Sequence, residues 1–198
     1  MEINPVDTAN TEDHKEEKKR SRLNPAVAVT VAVLATFTGI CKIKDDNIMQ
    51  AMQQAQADKL DHWAFYQARN LREEVAKATL VQLRLQAGER PAQGAAYGEA
   101  IARYEKLATE QSQKKEELRK QAEADQQTYD ALNFRDDQFD LSEAGVAIAI
   151  SVLAIASLTQ TWWLYLASLI PAGFGFVMGC AGLAGWPLHP TALVRLLT

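Results

Sequence analysis

Large apolar side chains crowd into two stretches of this chain and thin out elsewhere. The first, "PAVAVTVAVLATFTGIC" at residues 25–41, carries no charge. Extended outward to Leu23 and Ile43, it predicts roughly 31 Å of helix at about 1.5 Å per residue, the thickness of a bilayer core. The second stretch divides into residues 141–159 and 162–186, separated only by Gln160 and Thr161, which predicts two helices joined by a tight polar turn. Trp162, Trp163 and Trp186 bracket the last segment, as indole rings do where headgroup meets hydrocarbon. Three spans are therefore expected, at residues 23–43, 141–159 and 162–186.

Between the first and second spans the pattern changes. Residues 45–87 contain no Pro or Gly and are dominated by Ala, Gln, Leu, Lys, Arg, Met and Glu, strong helix formers. "GERPAQG" then supplies a break: Gly88 suits a left-handed helix cap and Pro91 cannot continue a helix. Beyond Gly98 the chain again runs without Pro or Gly into the second span. The expected fold is all-α: three transmembrane helices with a long antiparallel helical hairpin over residues 44–140, turning near 88–98. A polar tail over residues 1–22 is expected to be irregular, and a short tail over 187–198 closes the chain.

On the rising helix, Ile48, Met52, Leu60, Trp63, Leu71, Val75, Ala78, Val81 and Leu85 recur mostly at steps of three and four, as a coiled-coil seam requires. The descending helix offers Ile101, Tyr104, Ala108, Leu118, Ala122, Tyr129 and Leu132. Between Thr109 and Thr128 the only large aliphatic residue is Leu118, so the seam is poorly supplied opposite residues 60–71. There "LDHWAFYQAR" places Trp63 and Tyr66 three apart, hence on one face. The rings are expected to fill the gap or to pack a self-association seam; a docking or ligand patch is the competing use.

Composition changes the picture little. A net charge of −4 with 23% charged residues resembles a soluble protein, but the average hides greasy ends around a polar middle. Lys15, Lys18, Lys19, Arg20 and Arg22 precede the first span, which predicts a cytoplasmic N-terminus and an external hairpin. A cleaved signal peptide fits poorly, because the leader is long and acidic and no A-x-A site follows the run. Cys41 and Cys180 lie in or beside spans and read as small apolar packers. His14, His62 and His189 fall in three distant regions, so no metal set is expected, nor any cofactor: no phosphate loop or nucleophile elbow occurs. "KKEELRK" alternates in sign and predicts a solvated helix face, not a nucleic-acid patch.

Within lipid, small residues let helices approach closely. Gly175 and Gly179 form a GxxxG step, and Ala28, Ala32, Ala35 and Gly39 form a second small-residue stripe on the first span. Both are expected to serve helix packing, within one subunit or between subunits. Pro171 is expected to bend the last span.

The motif "DHWAFYQARNLR" resembles a bacterial membrane-protein family of unknown function that carries Asp-x-Trp-x-x-Tyr-Gln-Ala-basic on a helix after one span, with two more spans following. The matching positions are Asp61, Trp63, Tyr66, Gln67, Ala68 and Arg69, with Arg72 as a second basic residue. The resemblance implies architecture and a place in the bacterial inner membrane, and no activity. The expected protein is a non-enzymatic, self-associating membrane scaffold or accessory subunit, whose partners are the lipid bilayer, further copies of itself and an unidentified membrane or periplasmic protein. The alternatives are an oligomeric pore lined by Ser151, Ser157, Thr159 and the glycines of the spans, and a sensor or enzyme using the Trp63 to Arg69 patch.

Overall fold

The computed structural model describes residues 5–188, 190 and 192–193, with no side chains described for residues 5–21 or for Pro91. Among the described residues the secondary structure is helical: α1 (Pro5–Glu89), a short 3-10 turn (Pro91–Gln93), α2 (Gly94–Thr159) and α3 (Trp162–Ala184). The irregular tail expected over residues 1–22 falls mostly on positions whose side chains lie outside the description, and the backbone from Pro5 is assigned to α1. Three helices are long and apolar enough to cross a membrane. The chain divides into two compact units, one built from residues 1–49 and 133–198, the other from residues 50–132.

The first unit holds all three apolar runs. Its core joins Leu23, Val27 and Leu34 of α1 to Val146, Ala149 and Leu153 of α2 and Ala172 of α3. Polar contacts also join the helices: Thr30 Oγ1 lies 3.2 Å from the Tyr165 hydroxyl, and Asn24 Oδ1 accepts from Ser157 and Gln160, each at 3.0 Å. The two-residue turn between α2 and α3 is as short as its sequence suggested. Gln160 adopts the left-handed conformation at φ 53°, and the Thr161 N–H reaches back to the Ala156 carbonyl at 3.1 Å, closing the helix end with a Schellman bond. A left-handed residue with a Cβ costs about 1 to 2 kcal/mol. The Gln160 side chain offsets this by donating to Asn24 and to the Ser157 carbonyl. At the other end of α3, Gly185 at φ 71° ends the helix the same way, with Trp186 N–H bonded to the Ala181 carbonyl at 3.0 Å.

Close approach of α2 and α3 depends on glycine. A Cβ on Gly145 would lie 3.0 Å from Gly175 Cα and N, and one on Gly175 would lie 2.8 Å from the Ser142 carbonyl and 2.9 Å from Val146 N. A Cβ on Gly179 would strike the Phe37 ring at 2.6 Å and Ser142 Oγ at 2.7 Å. The GxxxG step thus lies inside the subunit, against α1 and α2. Ala28, Ala32, Ala35 and Gly39 are exposed, and a Cβ on Gly39 would meet nothing within 4 Å.

The second unit is the antiparallel hairpin of α1 and α2. Its turn is tighter than the expected 88–98, because α1 continues through Gly88 to Glu89 and α2 already begins at Gly94. Glycine inside a helix costs only about 1 kcal/mol, which the helix formers on either side outweigh. Pro91, with no N–H to offer, marks the true stop.

The face by which α1 meets α2 differs from the expected one. Ile48 and Met52 are buried and Trp63 is half-buried, but Leu60, Leu71, Val75, Ala78, Val81 and Leu85 are exposed. The positions that lose exposure are Met52, Ala55, Lys59, His62, Tyr66, Arg69, Glu73, Ala76 and Leu80, in unbroken steps of three and four. The facing positions of α2, among them Ile101, Tyr104, Ala108, Leu118, Ala122, Tyr129 and Leu132, are buried or half-buried, on the face the sequence pattern indicated.

Candidate functional site

Two polar assemblies stand out, one in each unit. In the hairpin, where both helices run short of aliphatic residues, the seam becomes a ladder of polar pairs. Lys59 donates to Gln126, and His62 Nδ1 lies 2.6 Å from Asp125 Oδ2. Arg69 Nη1 donates to Gln111 Oε1 at 3.0 Å. Glu73, with a side chain only 5% exposed, sits between Lys77 at 2.6 Å and Lys115 at 2.7 Å. Lys115 also donates to Asn70 Oδ1 at 3.2 Å. Its ammonium approaches Glu73 Oε2 more closely, at 2.7 Å. Lys115 first, then Lys77, holds the Glu73 carboxyl below the usual carboxylate range.

The motif residues therefore part company. Tyr66 and Arg69 lie on the seam, and Trp63 stands at its edge with its ring 5.2 Å from Tyr66 in an edge-to-face contact. Asp61, Gln67 and Ala68 are exposed. The rings do not by themselves fill the gap left by α2; cross-helix polar pairs do, and both aromatic rings remain half-exposed.

The second assembly is a polar collar at one end of the three-helix unit, built from residues 38–45 of α1, 135–143 of α2 and the end of α3. Gln138, fully buried, donates to the Trp186 carbonyl at 2.8 Å and the Leu188 carbonyl at 2.7 Å, and Arg135 donates to the Gly182 carbonyl at 2.9 Å. Arg135 thus satisfies a carbonyl in the last turn of α3 that has no intrahelical partner, and Gln138 ties down the segment that follows the helix. Beside them Asp45, with a side chain 6% exposed, pairs with Lys42 through Oδ2 at 2.9 Å, while its Oδ1 has no donor. Asp136 lies against it, with Asp137, Asp140 and Glu143 nearby on α2. Burial first, then the hydrogen bond to Asp45, then the charges of Asp140, Asp45 and Asp137 raise Asp136 to about 7. Burial raises Asp140 as well. A proton on Asp136 supplies the donor that buried Asp45 lacks. The recess among Thr38, Cys41, Lys42, Asp45, Phe139, Ser142 and Glu143 measures about 10 Å³, room for about one water molecule and not for a metabolite.

A pH dependence follows. Because folding raises the Asp136 pKa, the folded state holds more protons than the unfolded state between the ordinary carboxyl range and about 7, and stability falls as pH rises through that window. Thermal unfolding in detergent should shift downward as pH rises from about 4 to about 7, between the ordinary and the raised carboxyl pKa. Asp136→Asn, which keeps a donor at every pH, should flatten the profile over this window. An Asn variant that keeps the wild-type slope would remove Asp136 as its source.

The sequence reading missed this collar because its members lie in "KIKDD" and "FRDDQFD", charged stretches that read as solvated flanks. The usable signal was Gln138 and Phe139 continuing the three-and-four spacing of the α2 seam. Among the described residues no group of His, Cys, Asp or Glu is arranged to hold a metal ion. The expected role of His14 and His189 as isolated residues lies outside the described side chains.

Three membrane-length helices and an inserted helical hairpin define the class: an all-α protein with the build of a multi-pass membrane protein. Residues 23–185 match the family model described as "Domain of unknown function (DUF4337)". The match takes in most of the chain, and the chain belongs to that family. Comparison with curated proteins and with solved structures returned no match.

Proposed function

We propose that the chain is a multi-pass protein of the bacterial inner membrane that works without catalysis, as a self-associating scaffold or accessory subunit. The observation that carries this reading is the fate of the hairpin's polar groups. Arg69 with Gln111, Glu73 with Lys115 and His62 with Asp125 are engaged across the seam, where they hold two helices in register and are not gathered around a pocket. A rigid helical arm between membrane helices suits display and docking. The cations preceding the first span favour a cytoplasmic N-terminus and a periplasmic hairpin. A reporter fused at Gly94, active outside the cytoplasm and silent within it, supports that orientation, and the reverse pattern overturns it. Native mass analysis after mild solubilisation tests the scaffold reading. More than one copy, or one copy with a second polypeptide, is the expected result; a lone single copy would remove it.

A further inference from the structure

The two helices of the hairpin have opposite kinds of outer face. On α2 the positions turned away from the seam are Glu99, Arg103, Lys106, Glu110, Gln113 and Lys120, all exposed, as a helix facing water should be. On α1 the corresponding positions are Ala64, Ala68, Leu71, Val75, Ala78 and Leu85, also all exposed. They keep the three-and-four spacing of the seam on the opposite side of the same helix, interrupted only by Gln82. Leu71 is 66% exposed, Val75 57% and Leu85 67%. The inner side of this helix is held to α2 largely by polar pairs, while the apolar stripe on its opposite side is left uncovered.

We propose that this outer stripe of α1 is the surface on which a second copy of the chain docks, stripe against stripe; the assignment rests on the self-association reading and gives it a location. Three features favour a helix of the same kind over other occupants. The stripe runs about 32 Å at helical spacing, so a matching ridge is a helix of similar length. Alanines at 64, 68 and 78 allow close backbone approach around a wider centre at Leu71 and Val75. The edges are complementary: Gln67 and Glu74 lie along one, and Arg72 along the other. In a parallel pair the first edge of one copy meets the second edge of its partner, so like charges do not face one another. Toward the start of the stripe the same geometry sets exposed Leu60 beside exposed Phe65. A face made for a lipid surface would be rimmed with Lys and Arg on both sides, and this one sets a single Arg72 against Gln67 and Glu74. The stripe is narrow beside the roughly 800 Å² per partner of a standard interface, which suits copies confined to one membrane, where effective concentration adds to weak contact.

The test uses the full chain in mild detergent, with mass read by light scattering and helix content by circular dichroism. Leu71→Lys with Val75→Lys changes two exposed positions and should leave helix content intact while reducing the assembly to a single copy. Gln113→Lys, on the outer face of α2, should leave the wild-type mass unchanged. A wild-type protein that is itself a single copy overturns both the self-association reading and this surface. A multi-copy wild type whose double-lysine variant keeps the same mass overturns this surface alone. A different polypeptide that accompanies the wild type and is lost from the variant also overturns it, by assigning the stripe to another partner.

Discussion

Gly175→Leu is expected to disrupt the three-helix unit, lowering stability by about 3 kcal/mol or more, at or beyond the upper end of ordinary overpacking. The reason is what the new side chain would meet. Even a Cβ at Gly175 falls 2.8 Å from the Ser142 carbonyl and 2.9 Å from Val146 N, which are backbone atoms of α2 and have no rotamer to move aside. The helices must separate, and the contacts joining Val146 and Ala149 of α2 to Ala172 of α3 separate with them. Gly173→Leu is the matched control, because a Cβ there would meet nothing within 4 Å. Thermal unfolding in detergent should show a large drop for the first variant and little change for the second. Equal tolerance of both would mean that α2 and α3 do not pack through Gly145 and Gly175.

Glu73→Ala should be the most damaging single change in the hairpin, costing about 3 to 5 kcal/mol, as breaking a buried ion pair does. The carboxylate is nearly enclosed and faces two ammonium groups, and Lys115 itself is only 16% exposed. Removing Glu73 leaves Lys115 bonded to the neutral Asn70 and strands a charge in the seam. The double replacement Glu73→Leu with Lys115→Leu should recover most or all of the loss, since apolar pairs commonly match buried ion pairs in stability. Chemical denaturation of the full chain in detergent, followed by helix signal, compares the three proteins. A double variant no more stable than Glu73→Ala would argue that the seam needs this charge pair for more than filling space. Acid should also weaken the pairing: the depressed Glu73 pKa contributes stability above the ordinary carboxyl range and loses it as pH falls through the folded value. That slope is opposite in sign to the one set by Asp136.

Much of the fold was legible in the distribution of apolar residues. Uncharged stretches long enough to cross a bilayer, the two-residue break at Gln160 and Thr161, and the return of the chain about Pro91 all reappear in the structure. The side of α1 that faces α2 was not legible. Leu60, Leu71, Val75, Val81 and Leu85 are large apolar residues of the hairpin part of α1, yet they lie outside, while Lys59, His62, Arg69 and Glu73 lie on the seam. A hydrophobicity rule selects the wrong face when the inner face is held by charge and the outer one is apolar. Complementarity across the turn carried the missing information: read antiparallel, His62 meets Asp125, Arg69 meets Gln111 and Glu73 meets Lys115. The collar was hidden for a related reason, since Asp45, Asp136 and Gln138 reveal their burial only once α1, α2 and the end of α3 are packed together. Glycine showed the reverse, because the GxxxG step at Gly175 was visible while its partner Gly145, a lone glycine in an Ala- and Ile-rich run, was not.

Three helices long and apolar enough to cross a bilayer call for solvation by hydrocarbon, and the direct measurement is extraction of the full chain from membranes. Alkaline washing, which strips peripheral proteins, should leave it in the membrane pellet, with release only by detergent. Recovery of the chain in the wash as a dispersed, monomeric, helical protein would contradict the account.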